Sequence, residues 1–491
     1  MMEEIISLFF QCPLFVQVLI LGIVVIILAL LIIVTIFHKR IGVESIWFIK
    51  FPSAKIKEEL EQSNKQLEES RNTTNDLNQE IGELKKKLSE LPGTVELPEL
   101  PGRYFIGIDI GRDKIDYCLV DYDRFLKGGY GKAKVKEGTS PTPDHFKDIY
   151  PRLGEIVQTL SQEAADRDRA IDGIGLGLPG QVDPRRGLLL KSPGFDDVDK
   201  EPVIEEFSEC LSKEFPIEID NDVRCATRYV WKQYSYEDVI CIFVGMGLGS
   251  GIVLGGKMLY GCNFTAGEIG HTTISEKYEL VEKEECKCGL KGCYHWEMYV
   301  SSHGMMNIAR NLESEEYKRL RTNYETIIQG AEYQRLLKQE AFSKHSDKHF
   351  VDYKKEELTT YFLSLAFYAG EEYAAKVVKE FIRYLAIGIA NYINVINPER
   401  VYLGGGMIRG FYGEKNASPC LGCTTEVLLR NEMKKYALPS ASDVVIVKRD
   451  YKETRIASIG AALILKDKSY FDYKKRRIKS LERHNGSSYH R

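Results

Sequence analysis

Positive charge is not in excess in this sequence: 67 lysines and arginines face 71 aspartates and glutamates, a net charge of −4. A chain so balanced has no electrostatic footprint for nucleic acid, which begins with a basic face or stripe. The exception is Lys474–Arg477, four consecutive basic residues near the end, read as a solvated tail with contact to anionic lipid as the alternative. Cysteine is also sparse. Eleven in 491 residues, unevenly spread, exclude a secreted disulfide scaffold and leave reduced thiols or metal binding. Charge of either sign is missing between Glu4 and His38. That run is long enough for a hydrocarbon core, which needs about 20 apolar residues. Residues 14–37 (Leu14 to Phe37) are therefore expected to form a transmembrane helix. A cleaved signal peptide fits less well, because the run exceeds the ~7–15 residues of a signal core and lacks a small-residue cleavage site. His38, Lys39, Arg40 and Lys50 follow the span and acids precede it. The positive-inside bias predicts a single-pass membrane protein with its large C-terminal domain in the cytoplasm.

At this length an anchor and one large two-lobed domain fit together. Over residues 55–91, apolar positions follow a seven-residue repeat: Leu60, Leu67, Ile81 and Leu88 on one seam, Ile56, Leu77, Leu84 and Leu91 on the other. The spacing predicts a coiled-coil stalk and hence a homodimer, with a lone charged helix as the alternative. Ser63, Ser70 and Thr74 interrupt the seam, so its second half should carry most of the pairing. Pro92, Gly93, Pro98, Pro101 and Gly102 mark residues 92–103 as a linker. From Tyr104, FIGIDIG and IDYCLVDYD read as a hairpin of buried strands. Further strands are expected at Gly173–Leu178, Val239–Val244 and Gly251–Leu254, and helices at Asp144–Ala165 and Lys376–Ile396. Alternating strands and helices predict an α/β domain over residues 104–467. A polar, helical insertion is expected near residues 307–365, and residues 468–491 form the basic tail.

Cys286, Cys288 and Cys293, on a turn shaped by Gly289 and Gly292, offer three thiolates. With a histidine from elsewhere they would make a closed tetrahedral zinc site, and His295 is one such donor. Cys420 and Cys423 in PCLGC are either a second metal half-site or a turn, the latter preferred.

The segments GEIGHTTI (Gly267–Ile274), CKCGLKGC (Cys286–Cys293) and RYLAIGIANYINVINPERVYLGGGM (Arg383–Met407) resemble the ROK family of sugar kinases and sugar-sensing repressors. The resemblance runs from about Tyr104 to Asp467. It implies a bilobal actin-like ATPase (ribonuclease H-like) fold, and it names His271, in GEIGH, as the fourth ligand of a structural zinc. Asp222 in IEIDNDVRCA matches the family's catalytic base and Asn221 its sugar-contacting neighbour, while Asp220 falls where the family has no base. Glu268 and His271 match sugar ligands. A further family glutamate stands two residues after the last cysteine. His295 occupies that position here, so a two-residue insertion is inferred and Glu297 takes the sugar role.

On the nucleotide side Asp109 and Gly111 match the first phosphate turn, Gly245 and Gly247 the second, and Gly404, Gly405 and Gly406 the turn near adenosine. Gly460-Ala461-Ala462 resembles the closing helix. Two departures stand out. Arg112 and Asp113 replace a glycine and a phosphate-bonding threonine, with Arg112 expected to offset Asp113, and Met246 replaces a second threonine. Gly194 also stands where an asparagine is common, while Pro179, Gly180 and Asp183 keep the preceding turn. What the resemblance implies is an enzyme, a glucokinase-like kinase using Mg-ATP to phosphorylate a hexose or N-acyl-hexosamine. The alternative is a catalytically weak sugar sensor signalling at the membrane. A family repressor would carry a DNA-reading segment where this chain has its apolar span.

Overall fold

The computed structural model describes residues 103–211, 214–274, 286, 288, 294–331, 334, 351–352, 357–411, 420–448, 455–467 and 470–471. The expected transmembrane helix, stalk, most of the linker and most of the basic tail lie outside the described residues, as does Cys293. Among the described residues, no helix is long and apolar enough to cross a membrane.

The first lobe runs β1 (Tyr104–Ile110), β2 (Lys114–Asp121), α1 (Tyr122–Gly128), α2 (Tyr130–Ala133) and β3 (Lys134–Pro141). It continues through α3 (Ile149–Ala165), β4 (Ile171–Leu178), the hairpin β5 (Gln181–Asp183) and β6 (Leu188–Lys191), α4 (Val203–Glu209) and β7 (Ile217–Asn221). Helix α5 (Asp222–Tyr234) follows β7 with no intervening loop. The second lobe comprises β8 (Val239–Val244), β9 (Leu248–Leu254), β10 (Lys257–Met258), α6 (Ser302–Leu312), α7 (Ser314–Ile328), β11 (Val351–Asp352) and β12 (Glu357–Leu358). It is completed by α8 (Thr360–Tyr368), α9 (Glu372–Ile396), β13 (Arg400–Gly404), α10 (Gly406–Phe411), α11 (Thr425–Met433) and β14 (Val445–Lys448). Helix α12 (Ile456–Ala462) follows β14.

Each lobe is built on a mixed five-stranded sheet, ordered β3-β2-β1-β4-β7 and β10-β9-β8-β13-β14. In both, the first three strands are antiparallel neighbours and the last two join in parallel. The two sheets therefore repeat one topology, and the α/β bilobal architecture is the expected one. The hairpin from Tyr104, the strand Val239–Val244 and both long helices are where the sequence pattern puts them, with ends shifted by a few residues. The stretch expected as a helical insertion opens inside α6, where Asn307 is buried and the helix's apolar face joins the second lobe's core.

Three apolar clusters organise the interior. One fills the outer side of each sheet, and a third, containing Phe105, Cys225, Tyr229, Cys241, Tyr402 and Ile459, joins the two sheets. Helix α12 lies within that third cluster at backbone contact. A Cβ at Gly107 of β1 would stand 1.9 Å from the Ser458 carbonyl, and one at Gly175 of β4 equally close to Ala461. Only glycine lets a helix approach strands so closely.

Beside this cluster lies a buried charge network. Asp220, at the end of β7, accepts from Arg224 Nε at 2.6 Å and Arg228 Nη2 at 2.7 Å. Arg228 also bridges to Asp467 through Nε at 3.0 Å and to the Tyr260 hydroxyl at 2.7 Å. Burial alone would raise the Asp220 carboxyl, but the two guanidinium groups hold it below the usual carboxylate range. Removing one partner of such a network strands a buried charge. Arg228→Met is therefore expected to cost about 3–5 kcal/mol in urea unfolding. Lys318→Ala, which breaks an exposed Lys318–Glu315 pair, should change stability by no more than about 0.5 kcal/mol.

Candidate active site and metal centre

The site begins as a row of residues in register across the first sheet. Asp116, Asp109, Gly177 and Asp220 are successive pairing partners on β2, β1, β4 and β7, so their side-chain positions share one face. The outer two acids are neutralised. Asp220 carries Arg224 and Arg228, while Asp116 has Lys114 Nζ at 2.6 Å and Arg455 Nε at 3.6 Å. Between them lies Gly177, where a Cβ would touch Asp109 Oδ1 at 3.4 Å and the Asp222 Cα at 3.5 Å. Asp109 and Asp222 thus flank the same gap.

Asp222 opens α5. The preceding Asn221 caps that helix by accepting from the Val223 and Arg224 amides at 3.0 and 3.1 Å. Its Nδ2 donates to the Gly180 carbonyl at 3.1 Å, which fixes the Pro179-Gly180 turn beside the helix start. Gly180 itself has φ 114° and presses against the Lys191 carbonyl, so the turn requires glycine. Asp222 is half-buried, and its Oδ1 accepts from the Val223 amide at 2.9 Å. Burial raises its carboxyl to about 6; the Val223 amide and Arg224 oppose this, while the Glu268 carboxylate adds to it. Two acids from different lobes therefore converge, Asp222 on α5 and exposed Glu268 in the loop after β10. That loop is tied to α5 by Arg224, whose Nη1 donates to the Phe264 carbonyl at 2.7 Å. Phe264 holds a left-handed φ of 58° with the Arg185 guanidinium 5.1 Å over its ring.

The glycine turns of the second lobe are open. A Cβ on Gly245 or Gly406 would meet nothing within 4 Å, whereas Gly405, with φ 95°, packs against the Val244 backbone. The Gly245 amide donates to the Gly247 carbonyl at 2.9 Å, closing a tight turn that leaves Met246 69% exposed. Gly404 ends β13 and is buried. Asp113 is exposed beyond β1, and Gly111 turns the chain there, its carbonyl accepting from Thr142 Oγ1 at 2.8 Å. Arg112 does not offset Asp113 as expected. Its guanidinium stacks on Phe195 at 5.4 Å and donates to the Asp144 carbonyl at 3.1 Å, which commits it to the Ser192–Phe195 loop.

A separate cluster lies next to Glu268. His271, Cys286, Cys288 and His295 bring one donor atom each to within 4.8 Å of one another. The histidine Nδ1 atoms are 3.3 Å apart, His271 Nδ1 is 3.7 Å from Cys286 Sγ, and His295 Nδ1 is 3.3 and 3.7 Å from Cys286 and Cys288 Sγ. A tetrahedral zinc with ordinary bond lengths separates two nitrogens by about 3.3 Å and sulfur from nitrogen by about 3.6 Å. Four of the six separations thus lie near the edges of such a tetrahedron and all fall within 4.8 Å, so the residues fit a closed zinc site. Burial, followed by the nearby His271, pulls His295 down toward the neutral, metal-binding form.

Glu297 reaches the same place, with Oε1 3.0 Å from Cys286 Sγ and 3.5 Å from His271 Nδ1. A Cβ on Gly247 would be 3.2 Å from its Oε2, so this carboxylate connects the metal cluster to the second glycine turn. Trp296 anchors the segment, fully buried over Gly388 of α9 and donating from Nε1 to the Tyr384 carbonyl at 3.0 Å. Cys420 and Cys423 lie elsewhere in a turn before α11, Cys420 Sγ 3.0 Å from the Gly370 carbonyl, and among the described residues no metal-ligating cluster includes them. The arginines of the buried network were not among the residues singled out from sequence. Their four-residue spacing from Asp220 (Asp220, Arg224, Arg228) is the signal that places them on one helix face.

The raised Asp222 carboxyl has a stability consequence. Between its ordinary 3.8 and about 6 the folded chain binds the proton that the unfolded chain releases, so this residue's contribution falls as pH rises through that window. Asp222→Asn removes the effect. Its gain in unfolding free energy should be absent below pH ~4, grow toward pH ~6 and level off at no more than about 3 kcal/mol. Denaturant titrations of both proteins at several pH values measure it.

Comparison with known proteins identifies the family of the two-lobed domain. The chain is 29% identical over 364 residues to a glucokinase of Halalkalibacterium halodurans, covering 73% of this chain and 91% of that protein. It is 25% identical over 315 residues to a xylose repressor of Caldicellulosiruptor bescii, covering 63% and 67%. Its fold is that of a ROK hexokinase from Thermus thermophilus, with a TM-score of 0.52 at 22% identity over 76% of this chain and 99% of the other. The ROK family profile matches residues 105–468, and the chain belongs to the ROK family.

Proposed function

We propose that the protein is an ATP-dependent carbohydrate kinase that phosphorylates a hydroxyl of a hexose or N-acyl-hexosamine. The observation that carries this reading is Asp222. A carboxylate with its proton affinity raised to about 6 stands at the start of a helix, between Asp109 on one side and Glu268 on the other. A catalytic base works best when its pKa lies near the operating pH, and a pure sugar receptor has no use for such tuning.

In this reading the sugar lies against Asn221, Glu268, His271 and Glu297, which read its hydroxyls through hydrogen bonds that a wrong sugar leaves unmade. Asp222 takes the proton of the reacting hydroxyl as its oxygen attacks the terminal phosphorus of ATP. The bond from that phosphorus to the bridging oxygen breaks, and ADP leaves. Asp109 would organise the magnesium shell of the nucleotide, while the exposed turn from Gly245 to Gly247 and the open position at Gly406 would admit its phosphates, with Gly111 turning the chain after β1 and Gly404 and Gly405 shaping the turn near adenosine. His271, Cys286, Cys288 and His295 would hold a structural zinc, and so tied would fix the loop that carries Glu268 and orient Glu297. The N-terminal apolar run would anchor the kinase by a single span with this domain in the cytoplasm, and the heptad segment would pair two copies; both rest on sequence pattern.

A second reading, a catalytically weak sugar sensor, is favoured by Asp113 and Met246. Both stand where a phosphate-bonding threonine would be expected, and neither carries a hydroxyl donor.

A coupled ADP-release assay of the full chain over a panel of hexoses and N-acyl-hexosamines separates the two. Release of ADP dependent on one sugar is expected, with kcat/KM falling about tenfold per pH unit below about 6. Asp222→Ala should lower kcat by about 10²–10⁴-fold and leave sugar affinity within a few fold. Sugar binding with no ADP formed by the unmodified protein would establish the sensor.

A further inference from the structure

We propose that the joint between the lobes carries a second ligand site, at the far end of α5 from Asp222, that takes a small anion with a flat aromatic body. The inference does not rest on the kinase reading. A cavity of about 400 Å³ opens there, a size ordinary for a small-molecule site. Its walls come from α1 of the first lobe, from the last turn of α5 with the residues that follow, from the β9–β10 turn of the second lobe at Gly256, and from the turn after α12. Lys232 lies about 15 Å from Asp222 along α5, at 1.5 Å of rise per residue, so the cavity is separate from the acids of the candidate active site.

The lining has the two halves that such a ligand needs. Tyr122, Trp231 and Tyr236 supply aromatic surface, and Leu126 beside them is 65% exposed. A flat ring covers apolar surface of this kind well. Lys232 and Lys466 form the charged half. Lys232 Nζ stands 3.3 Å over the Trp231 ring and Lys466 Nζ 5.0 Å over the Phe105 ring. Among the described residues neither ammonium pairs with a carboxylate. Asp467, whose charge Lys232 feels, is committed to Arg228 Nε at 3.0 Å. Burial pulls the Lys232 ammonium below the ordinary lysine value, with Asp467 opposing it and Arg228 adding to it. A ring face attracts an ammonium but leaves its three donors without an oxygen, which a phosphate group would supply. Glu237, the acidic member of the lining, is exposed, so solvent screens it from an anion held at the lysines.

Backbone contacts brace the cavity. The Gly256 amide donates to the Glu237 carbonyl at 2.9 Å, which ties the second lobe's turn to the segment leaving α5. Ser235, with a left-handed φ of 54°, ends that helix just before Tyr236, whose ring stacks on Tyr234 at 5.5 Å. A ligand seated here touches residues of both lobes.

Isothermal titration calorimetry of the full chain with 1-naphthyl phosphate, 1-naphthol and inorganic phosphate tests the site. One equivalent of 1-naphthyl phosphate is expected to bind, at least about tenfold more tightly than either of the other two. Lys232→Gln and Lys466→Gln should each weaken it by about tenfold. Leu126→Glu, at an exposed position, should abolish it by placing a like charge at the cavity. Gly245→Asp puts a carboxylate on the open glycine turn of the candidate active site and should leave binding unchanged. No binding by the unmodified protein, equal affinity for 1-naphthol, or full affinity in the lysine variants would overturn the proposal. Loss of binding in Gly245→Asp would do so too, since it would put the anion at the glycine turn. Should the lysine variants fail to fold, Leu126→Glu and the comparison with 1-naphthol still decide it.

Discussion

The site depends on one buried electrostatic assembly. Asp220 sits at the last inward position of β7, fully buried, and a lone carboxylate there would carry a desolvation cost that no other group could repay. Arg224 and Arg228 remove that cost from two successive turns of the next helix, and Asp467 completes the balance from the end of the domain. The same guanidinium groups reach the Phe264 carbonyl and the Tyr260 hydroxyl, which belong to the loop leading into Glu268 and His271. One network therefore fixes the helix that begins with Asp222 and the loop that brings the opposing acid. The geometry between Asp222 and Glu268 is thus set by charges that lie behind both residues.

A second brace works from the other side. The histidine and cysteine cluster holds the segment after Glu268 against the segment before Glu297, and Trp296 pins the latter to α9. Glu297 is then the residue through which the metal centre meets the glycine turn at Gly247. The close approach of α12 to β1 and β4, possible only at Gly107 and Gly175, brings the two sheets together across a thin helical layer. Such a joint is dense at its centre, and the second lobe's turns are open, a Cβ on Gly245 or Gly406 meeting nothing within 4 Å.

Much of this was legible from residue pattern. The hairpin from Tyr104 and the strand Val239–Val244 alternate or run apolar in the way buried strands do, and the periodicity of Lys376–Ile396 marks a helix that the structure extends back to Glu372. Strand β3, polar and carrying Gly138, gave no such signal because it lies at a sheet edge with only one buried neighbour to satisfy. Helix α5 was hidden for a different reason: it is buried on nearly every side, so its apolar stripe is diluted by two buried arginines. Asn307, a polar residue at the edge of the stretch expected as an insertion, is fully buried within α6, which its residue type alone does not signal.

The sequence by itself determined the family and the α/β class, through strand and helix patterns and motifs that resemble the family's, and through that resemblance it named candidate residues for a base, a sugar ligand and a metal. Only the tertiary structure decided how they combine. It showed that Asp220 is spent on two arginines while Asp222 beside it is left with a raised proton affinity, and that Arg112 serves Phe195 instead of Asp113. It also brought His295 into the metal cluster, since strand pairing with Thr273 acts between residues distant in sequence. Charge burial and donor distance are properties of places in space, and a one-dimensional pattern holds neither.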